Sequence, residues 1–175
     1  GEKDYTEEIK EKLTKVFDVY GDVPYPQVVR GGYTSRHYDY AVASASNNQG
    51  VNLQFMGTHT TVQFREQPWA VAYWFLGNGL VDPNRVKDFS KFKTLRLKLR
   101  GVKGGEKISV SLKDKSNPTD GSETKVRLTL TDKWQTFDIP LSSFSPTRME
   151  ELFNVASFIV ENQAYAIEVE TIEFL

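Results

Sequence analysis

Residues 94–112 read TLRLKLRGVKGGEKISVSL, the most regular pattern in the chain. Leucines alternate with basic residues over 95–100, and after the glycine-rich turn 101–105 apolar residues alternate with serines over 108–112. An alternation of period two predicts β-strands that bury one face and expose the other. Two such strands on either side of a turn are typical of an antiparallel sheet with one solvated face.

The same pattern continues on both sides of this stretch. It predicts eight or nine short strands about ten residues apart, within 38–46, 51–55, 61–65, 69–76, 94–100, 108–113, 125–130, 158–161 and 167–174, and Trp134, Phe137 and Ile139 add further apolar positions. No helix between them is long enough for a parallel crossover. The sequence therefore predicts an all-β fold, a two-sheet antiparallel β-sandwich of the jelly-roll type.

The N-terminal segment has a different period. Ile9, Leu13, Val16 and Phe17 recur at helical spacing, which predicts a short amphipathic helix. Period-two patterns and turn residues begin after it. We therefore divide the chain into an N-terminal helical extension, residues 1–16, and a β-sandwich domain, residues 17–175.

Length and composition exclude several classes of protein. The chain has 175 residues, enough for one domain, and no apolar run approaches the ~20 residues that span a bilayer. There are no cysteines, which excludes thiol nucleophiles and disulfide frameworks. The net charge is −1, which argues against a nucleic-acid partner. We find no nucleophile elbow, phosphate loop or metal-binding histidine pair, and expect no catalytic residues.

Three segments resemble the galactose-binding-like jelly rolls. Ser90–Gly101 (SKFKTLRLKLRG) is similar to one of their strands, and Asp132–Phe144 (DKWQTFDIPLSSF) is similar to their segment ending in I-P-L-S-D-F. The stretch from Leu152 onward, with Val169–Phe174 (VETIEF), resembles their C-terminal strands. The sequence thus resembles carbohydrate-binding modules of this type, such as the family 11 β-glucan-binding modules, and the related domain of complex I intermediate-associated proteins. In these motifs Trp134 is expected to pack and Pro140 to end a strand.

The resemblance implies a noncatalytic module that binds a polysaccharide or oligosaccharide, most directly a β-glucan. It also implies an extracellular or cell-surface location and fusion to a catalytic or surface domain, although no signal peptide is visible. No cofactor is required. Relatives hold a structural calcium ion, for which Asp18 and Glu170 would be the ligands here; Val19, where relatives have an aspartate, weakens the match.

In such jelly rolls the strands matching 69–76, 108–113, 124–130 and 156–161 share one sheet whose outer face binds glycan. If Trp69 and Tyr73 face inward, Trp74 faces outward as a stacking platform; in the opposite register Trp74 is core, and Trp69 and Tyr73 become the platform. Polar partners on this face are predicted to be Ser111, Lys113, Arg127, Glu161 and Asn162. A second cluster rich in hydrogen-bonding groups contains His37 and Tyr40.

Two alternatives stay open. A small jelly-roll polysaccharide lyase or hydrolase would place the cluster around His37 and Tyr40 in the same cleft as the aromatic residues. An interaction or assembly domain would expose an apolar patch instead of a polar groove. Residues 91–130 carry a net charge of +7 and residues 148–175 one of −5. Cross-strand pairing between the two segments is the simplest expectation, and a segregated basic face would favour an anionic polysaccharide.

Overall fold

The computed structural model describes residues 40–46, 51–56, 58–76, 86–118 and 120–175. These residues contain ten strands, in chain order β1 (Tyr40–Ala45), β2 (Val51–Phe55), β3 (Thr60–Phe64), β4 (Ala70–Phe75), β5 (Thr94–Gly101), β6 (Lys107–Asp114), β7 (Lys125–Thr129), β8 (Gln135–Pro140), β9 (Leu152–Val160) and β10 (Tyr165–Phe174). Two short 3-10 turns, Leu141–Phe144 and Met149–Glu151, lie between β8 and β9. None of the described helices is long and apolar enough to cross a bilayer.

The strands form two five-stranded sheets. The front sheet has the order β1-β4-β9-β6-β7, and the back sheet has the order β2-β3-β10-β5-β8. All eight strand pairings are antiparallel. The predicted two-sheet antiparallel sandwich is therefore confirmed. The predicted helix and the extension 1–16 lie outside the described residues.

The core lies between the two sheets and follows the alternation in the sequence. From the back sheet, Leu95, Leu97 and Leu99 are fully buried, and from the front sheet Val110 and Leu112 are fully buried. Their neighbours along each strand therefore face outward, because side chains alternate across a sheet. Since β7 pairs with β6, Arg127 lies opposite Ser109 on the outer face.

The register of β4 corrects the first-choice platform residue. Trp74 is 1% exposed and lies in the core with Ala70 and Ala72, and its ring contacts Phe158 edge-on at 5.3 Å between centroids. The outward residues are Val71, Tyr73 and Phe75. Because this strand is apolar on both faces, its alternation did not identify which face is inside. Packing volume explains why Trp74 faces inward, because one indole beside the two alanines fills the space between the sheets.

Two ion pairs link the two oppositely charged segments through strand pairing. β5 lies beside β10, where Lys98 contacts Glu170 at 2.8 Å and Arg100 contacts Glu168 at 2.6 Å. The expected cross-strand pairing is confirmed, and these basic residues do not form a separate basic face. Glu170 was the predicted calcium ligand, and its carboxylate lies against an ammonium group instead. Asp18 lies outside the described residues, and the described residues contain no group of three side chains suited to a metal. The calcium ion stays a prediction.

Candidate functional site

The outer face of the front sheet presents side chains in rows across the strands. One row runs through Tyr73 on β4, Ser157 on β9, Ser111 on β6 and Lys125 on β7. The next row contains Phe75, Asn154 and Lys113. A β-bulge in β9 between these rows lets Asn154 turn outward; its Oδ1 accepts a hydrogen bond from Ala156 N–H at 3.1 Å. The fold thus assembles aromatic and polar side chains from four strands on one surface.

Trp69 and Tyr73 are aromatic side chains on this face that are not fully buried. Trp69 immediately precedes β4 and is 41% exposed. Tyr73 points outward from β4 and is half-buried. The carbonyl oxygen of Trp69 accepts a hydrogen bond from Ser46 N–H at 3.0 Å, which fixes its backbone against the end of β1. An exposed indole on a fixed strand end offers a flat apolar surface to a ligand.

Below these rings a cleft of about 530 Å³ opens on the front sheet. Its apolar lining is formed by Val71, Phe153 and Ile159, all buried, together with Pro68. Polar and charged side chains complete the lining: Lys113, Lys115, Asn117, Asp120, Glu123, Lys125, Asn154 and Glu161. Apolar walls with a few convergent polar groups are typical of small-molecule sites.

A buried charged pair lies at one side of the cleft. The side chains of Lys113 and Glu123 are 11% and 4% exposed, and Lys113 Nζ lies 3.9 Å from Glu123 Oε2. Ser111 Oγ donates to Glu123 Oε1 at 3.3 Å, and Lys113 Nζ also donates to the carbonyl oxygen of Pro118 at 3.4 Å. Glu123 Oε2 has no hydrogen-bond partner within the described part of the chain. This oxygen is itself buried and faces Lys113 Nζ, so the carboxylate fixes the position of the ammonium group beside the cleft.

The loop between β6 and β7 forms the rim of the cleft. Lys125 Nζ donates to the carbonyl oxygens of Gly121 and Glu123, which holds the loop against the sheet. Hydrogen bonds from Ser122 lower the pKa of Asp120, so this rim carboxylate is ionised at neutral pH. The charged residues of the lining are three lysines and three acidic residues. The formal charge of the cleft is therefore zero.

Four of the predicted site residues come together in this cleft: Trp69, Tyr73, Lys113 and Glu161. Ser111 lies on the same face but is fully covered, and its hydroxyl orients Glu123. Arg127 is exposed on the same face outside the cleft lining. Asn162, with a φ of 58°, makes the turn after Glu161 and donates its N–H to Gln67.

Two further predicted residues are not tested. The backbone of Tyr40 pairs with Phe75 at the edge of the front sheet, and its side chain is outside the described set. His37 lies outside the described residues. The idea that this pair shares the cleft with the aromatic residues stays a prediction.

Sequence reasoning missed several residues of the cleft, notably Glu123, Asn154 and Phe153. Glu123 lies in a loop, where no periodicity indicates the direction of a side chain. Asn154 faces outward because of the bulge in β9, which a strict alternation does not predict. The sequence pattern does place Lys125 on this face, since it alternates with Val126 and therefore points the same way as Arg127.

Comparison with known proteins places the fold among carbohydrate-binding modules. The family 11 module from Clostridium thermocellum, solved in complex with a β-1,3-1,4-mixed-linked tetrasaccharide, has a TM-score of 0.55 at 15% identity, over 77% of this chain and 86% of that one. The family 30 module of the cellulosomal cellulase Cel9D-Cel44B of the same organism has a TM-score of 0.55 at 15% identity, over 86% and 89%. A family 29 module complexed with cellulohexaose has a TM-score of 0.53 at 12% identity, over 84% and 87%. At these identities the likeness shows the fold alone.

The sequence itself carries the assignment. No curated protein matches this chain in sequence. The family model described as carbohydrate binding domain 30 matches residues 27–174, which is most of the chain. The predicted resemblance to carbohydrate-binding modules is confirmed, and the resemblance to the complex I intermediate-associated domain stays a prediction. The chain belongs to the carbohydrate binding domain 30 family and is a noncatalytic carbohydrate-binding module with a β-sandwich fold.

Proposed function

We propose that the front-sheet cleft binds a neutral β-glucan chain, with Trp69 and Tyr73 as stacking platforms. The observation that carries this proposal is the exposed indole of Trp69 above an apolar cleft on the outer face of the sheet. A β-linked glucosyl unit holds its substituents in equatorial positions, so both faces of its ring present C–H groups. Such a face packs on an aromatic ring, while its hydroxyls point sideways to polar groups.

The polar lining supplies partners for those hydroxyls. Lys113 is a donor, and its pairing with the buried carboxylate of Glu123 holds its ammonium group in place. Glu161 and Asn154 add a carboxylate and an amide on other sides of the cleft. Pre-ordered side chains lose little conformational entropy when a ligand binds, which favours recognition of a defined sugar geometry.

The charge balance of the cleft supports a neutral ligand over an acidic polysaccharide. Three lysines face three acidic residues, so the lining offers no net attraction to a polyanion. Two ligand-bound structures with this fold contain a mixed-linked β-glucan tetrasaccharide and cellulohexaose, both neutral glucans. They support the choice of β-glucan as the first ligand to test.

Isothermal titration calorimetry tests the proposal. The ligands are mixed-linked β-glucan, cellohexaose, mannan, alginate and pectin. We expect the two β-glucans to bind, and Trp69→Ala to weaken that binding at least ~10-fold, by analogy with nucleic-acid bases, whose stacking on an aromatic side chain is worth about 1–3 kcal/mol. Val102→Ala is the matched control, because Val102 is a similarly exposed apolar side chain in the β5–β6 turn, outside the cleft. Binding by the acidic polymers alone would contradict the proposal.

We further propose that the module is part of a larger secreted or cell-surface protein that acts on plant cell-wall glucan. One structural neighbour is a module of a cellulosomal cellulase, which supports this setting. An antibody against the module should detect, in the culture supernatant or on intact cells, a polypeptide much larger than 19.9 kDa. Detection only in the soluble cell lysate would contradict the proposed location.

A further inference from the structure

The back sheet carries a second exposed tryptophan on the opposite side of the molecule. Trp134 was expected to pack, but it precedes β8 and is 37% exposed. It borders a depression of about 380 Å³ with Thr58, His59, Arg100, Glu168 and Glu170. We call these six residues the back-sheet site. None of them lines the front-sheet cleft.

A network of hydrogen bonds and ring contacts holds this tryptophan in place. Arg100 Nε donates to Glu168 Oε1 at 2.7 Å, and Arg100 Nη1 donates to the carbonyl oxygen of Asp132 at 2.8 Å. His59 Nε2 contacts the other oxygen of Glu168, and the His59 ring meets Trp134 edge-on at 5.7 Å between centroids. The guanidinium carbon of Arg100 lies 5.9 Å from the indole centroid. An exposed indole that packs against His59 and Arg100 offers a flat apolar surface whose ordering on binding costs little further entropy.

A donor and an acceptor lie side by side at the border of this platform. Lys98 Nζ contacts Glu170 Oε2 at 2.8 Å and lies 6.0 Å from the Trp134 centroid. An ammonium group has three N–H donors and a carboxylate has two acceptor oxygens, so this single contact leaves capacity on both groups. Two neighbouring hydroxyls of a sugar ring, each a donor and an acceptor, match this pair. The indole would cover the C–H face of the same ring.

We propose that the back-sheet site is a second carbohydrate-binding site, which takes a short stretch or an end of a neutral glucan chain. Its ligand class rests on the proposed function of the cleft. Its volume is smaller than that of the cleft, so it contacts fewer sugar units and binds more weakly. Because the two sites lie on opposite sheets, one module can hold two chains, or two distant segments of one polymer. Simultaneous engagement raises the apparent affinity for a polymer above that of either site alone.

The chain provides its own probes, because its three tryptophans occupy three different environments. Trp69 lies in the cleft, Trp134 in the back-sheet site and Trp74 in the core. We would titrate the ¹⁵N-labelled protein with a mixed-linked β-1,3-1,4-glucotetraose and follow the three indole N–H signals, assigned with single Trp→Phe variants. We expect the Trp69 signal to move first, the Trp134 signal to move at about tenfold or more higher concentration, and the Trp74 signal to stay.

Variants then separate the two sites. In Trp69→Ala the shift of the Trp134 signal should persist, and Glu170→Gln should weaken it several-fold. Asp138→Asn is the matched control, since Asp138 pairs with Arg96 on the same outer face outside the site. In an assay with the soluble polymer, Trp134→Ala should lower the apparent affinity at least ~5-fold while changing tetraose affinity at the cleft less than twofold.

The outcomes distinguish failure of this site from failure of the cleft. An unmoved Trp134 signal at saturating tetraose, with Trp69 responding, overturns the back-sheet site and leaves the cleft standing. The Trp134 signal could instead respond, also in Trp69→Ala, while the Trp69 signal of the wild type does not move. This result supports the back-sheet site and overturns the cleft. No response of either signal overturns both.

Discussion

At the scale of single residues, the three tryptophans show how position decides role. Trp74 is almost fully buried, whereas Trp69 and Trp134 are each more than one-third exposed, at the start of β4 and just before β8. A buried indole contributes to stability through packing, and an exposed indole contributes little to folding and remains available to a ligand. The sequence distinguishes none of these roles by residue type.

We predict that Trp74→Ala lowers the free energy of unfolding by about 3–5 kcal/mol, because it removes a large buried ring and leaves a cavity. Trp69→Ala should change it by less than ~1 kcal/mol, since that ring is exposed. Urea unfolding followed by circular dichroism measures both variants. Equal losses in the two variants would contradict the buried position of Trp74.

At the scale of elements, pairing between strands sets the charge pattern of the back sheet. Arg96 on β5 lies opposite Asp138 on β8, and its guanidinium donates to both carboxylate oxygens at 2.8 and 3.0 Å. The pair is exposed, so it adds little to stability, but its geometry is bidentate. It therefore reports the register of β8 against β5.

We predict that the pKa of Asp138 lies below 3.8, because hydrogen bonds from Arg96 stabilise its ionised form. The stabilisation is then present above pH 3.8 and is lost as the pH falls through the lowered pKa. Carbon-13 NMR titration of the carboxyl group measures this value, and Arg96→Met should return it toward 3.8. An Asp138 pKa that Arg96→Met leaves unchanged would contradict the register.

Two glycines at the connection between β5 and β6 are favoured for different physical reasons. A Cβ at Gly101 would lie 1.9 Å from Glu106 Oε1, whereas at Gly105 nothing lies within 4 Å but φ is +87°. Glu106 is buried, and its other oxygen accepts a hydrogen bond from Lys103 N–H at 3.0 Å, so it has little room to move.

We predict a loss of about 1–3 kcal/mol for Gly101→Ala, from crowding against Glu106. Gly105→Ala should cost about 1–2 kcal/mol, from left-handed backbone strain. A double-mutant cycle separates the causes: Glu106→Ala should reduce the cost of Gly101→Ala and leave that of Gly105→Ala unchanged. Additive effects of Gly101→Ala and Glu106→Ala would show that the two residues do not collide.

At the scale of the whole molecule, the sandwich carries an exposed tryptophan on each outer face. The strands that carry the cleft also bury the core, so binding and folding are linked through the same sheet. A ligand that binds only the folded state raises stability by mass action, by about 2.7 kcal/mol at 100 times its Kd.

We therefore predict that saturating mixed-linked glucotetraose raises the melting temperature of the wild-type module by several degrees. Trp69→Ala should lose most of this shift while keeping its ligand-free melting temperature. Differential scanning calorimetry at 50 and 500 mM salt measures both, and the shift should be nearly independent of salt because the cleft has no net charge. A shift that disappears in high salt would indicate an electrostatic ligand instead.

The sequence by itself determined most of the strands, the antiparallel sandwich and which face of β5, β6 and β7 is buried. Alternation suffices there, because one face of each strand is apolar and the other is polar. It also identified four residues of the cleft, through their positions on or beside strands of one sheet.

Only the tertiary structure decided the rest. β4 is apolar on both faces, so packing volume, and not pattern, placed Trp74 inside and exposed Trp69. The bulge in β9 and the loop carrying Glu123 have no periodicity, so Asn154 and Glu123 join the cleft only through contacts between distant segments. Trp134 also lies outside the core. It precedes β8 on the outward face of the back sheet, where its ring lies beside Arg100 of the neighbouring strand. A local pattern records the environment of a strand, whereas a site depends on which strands become neighbours.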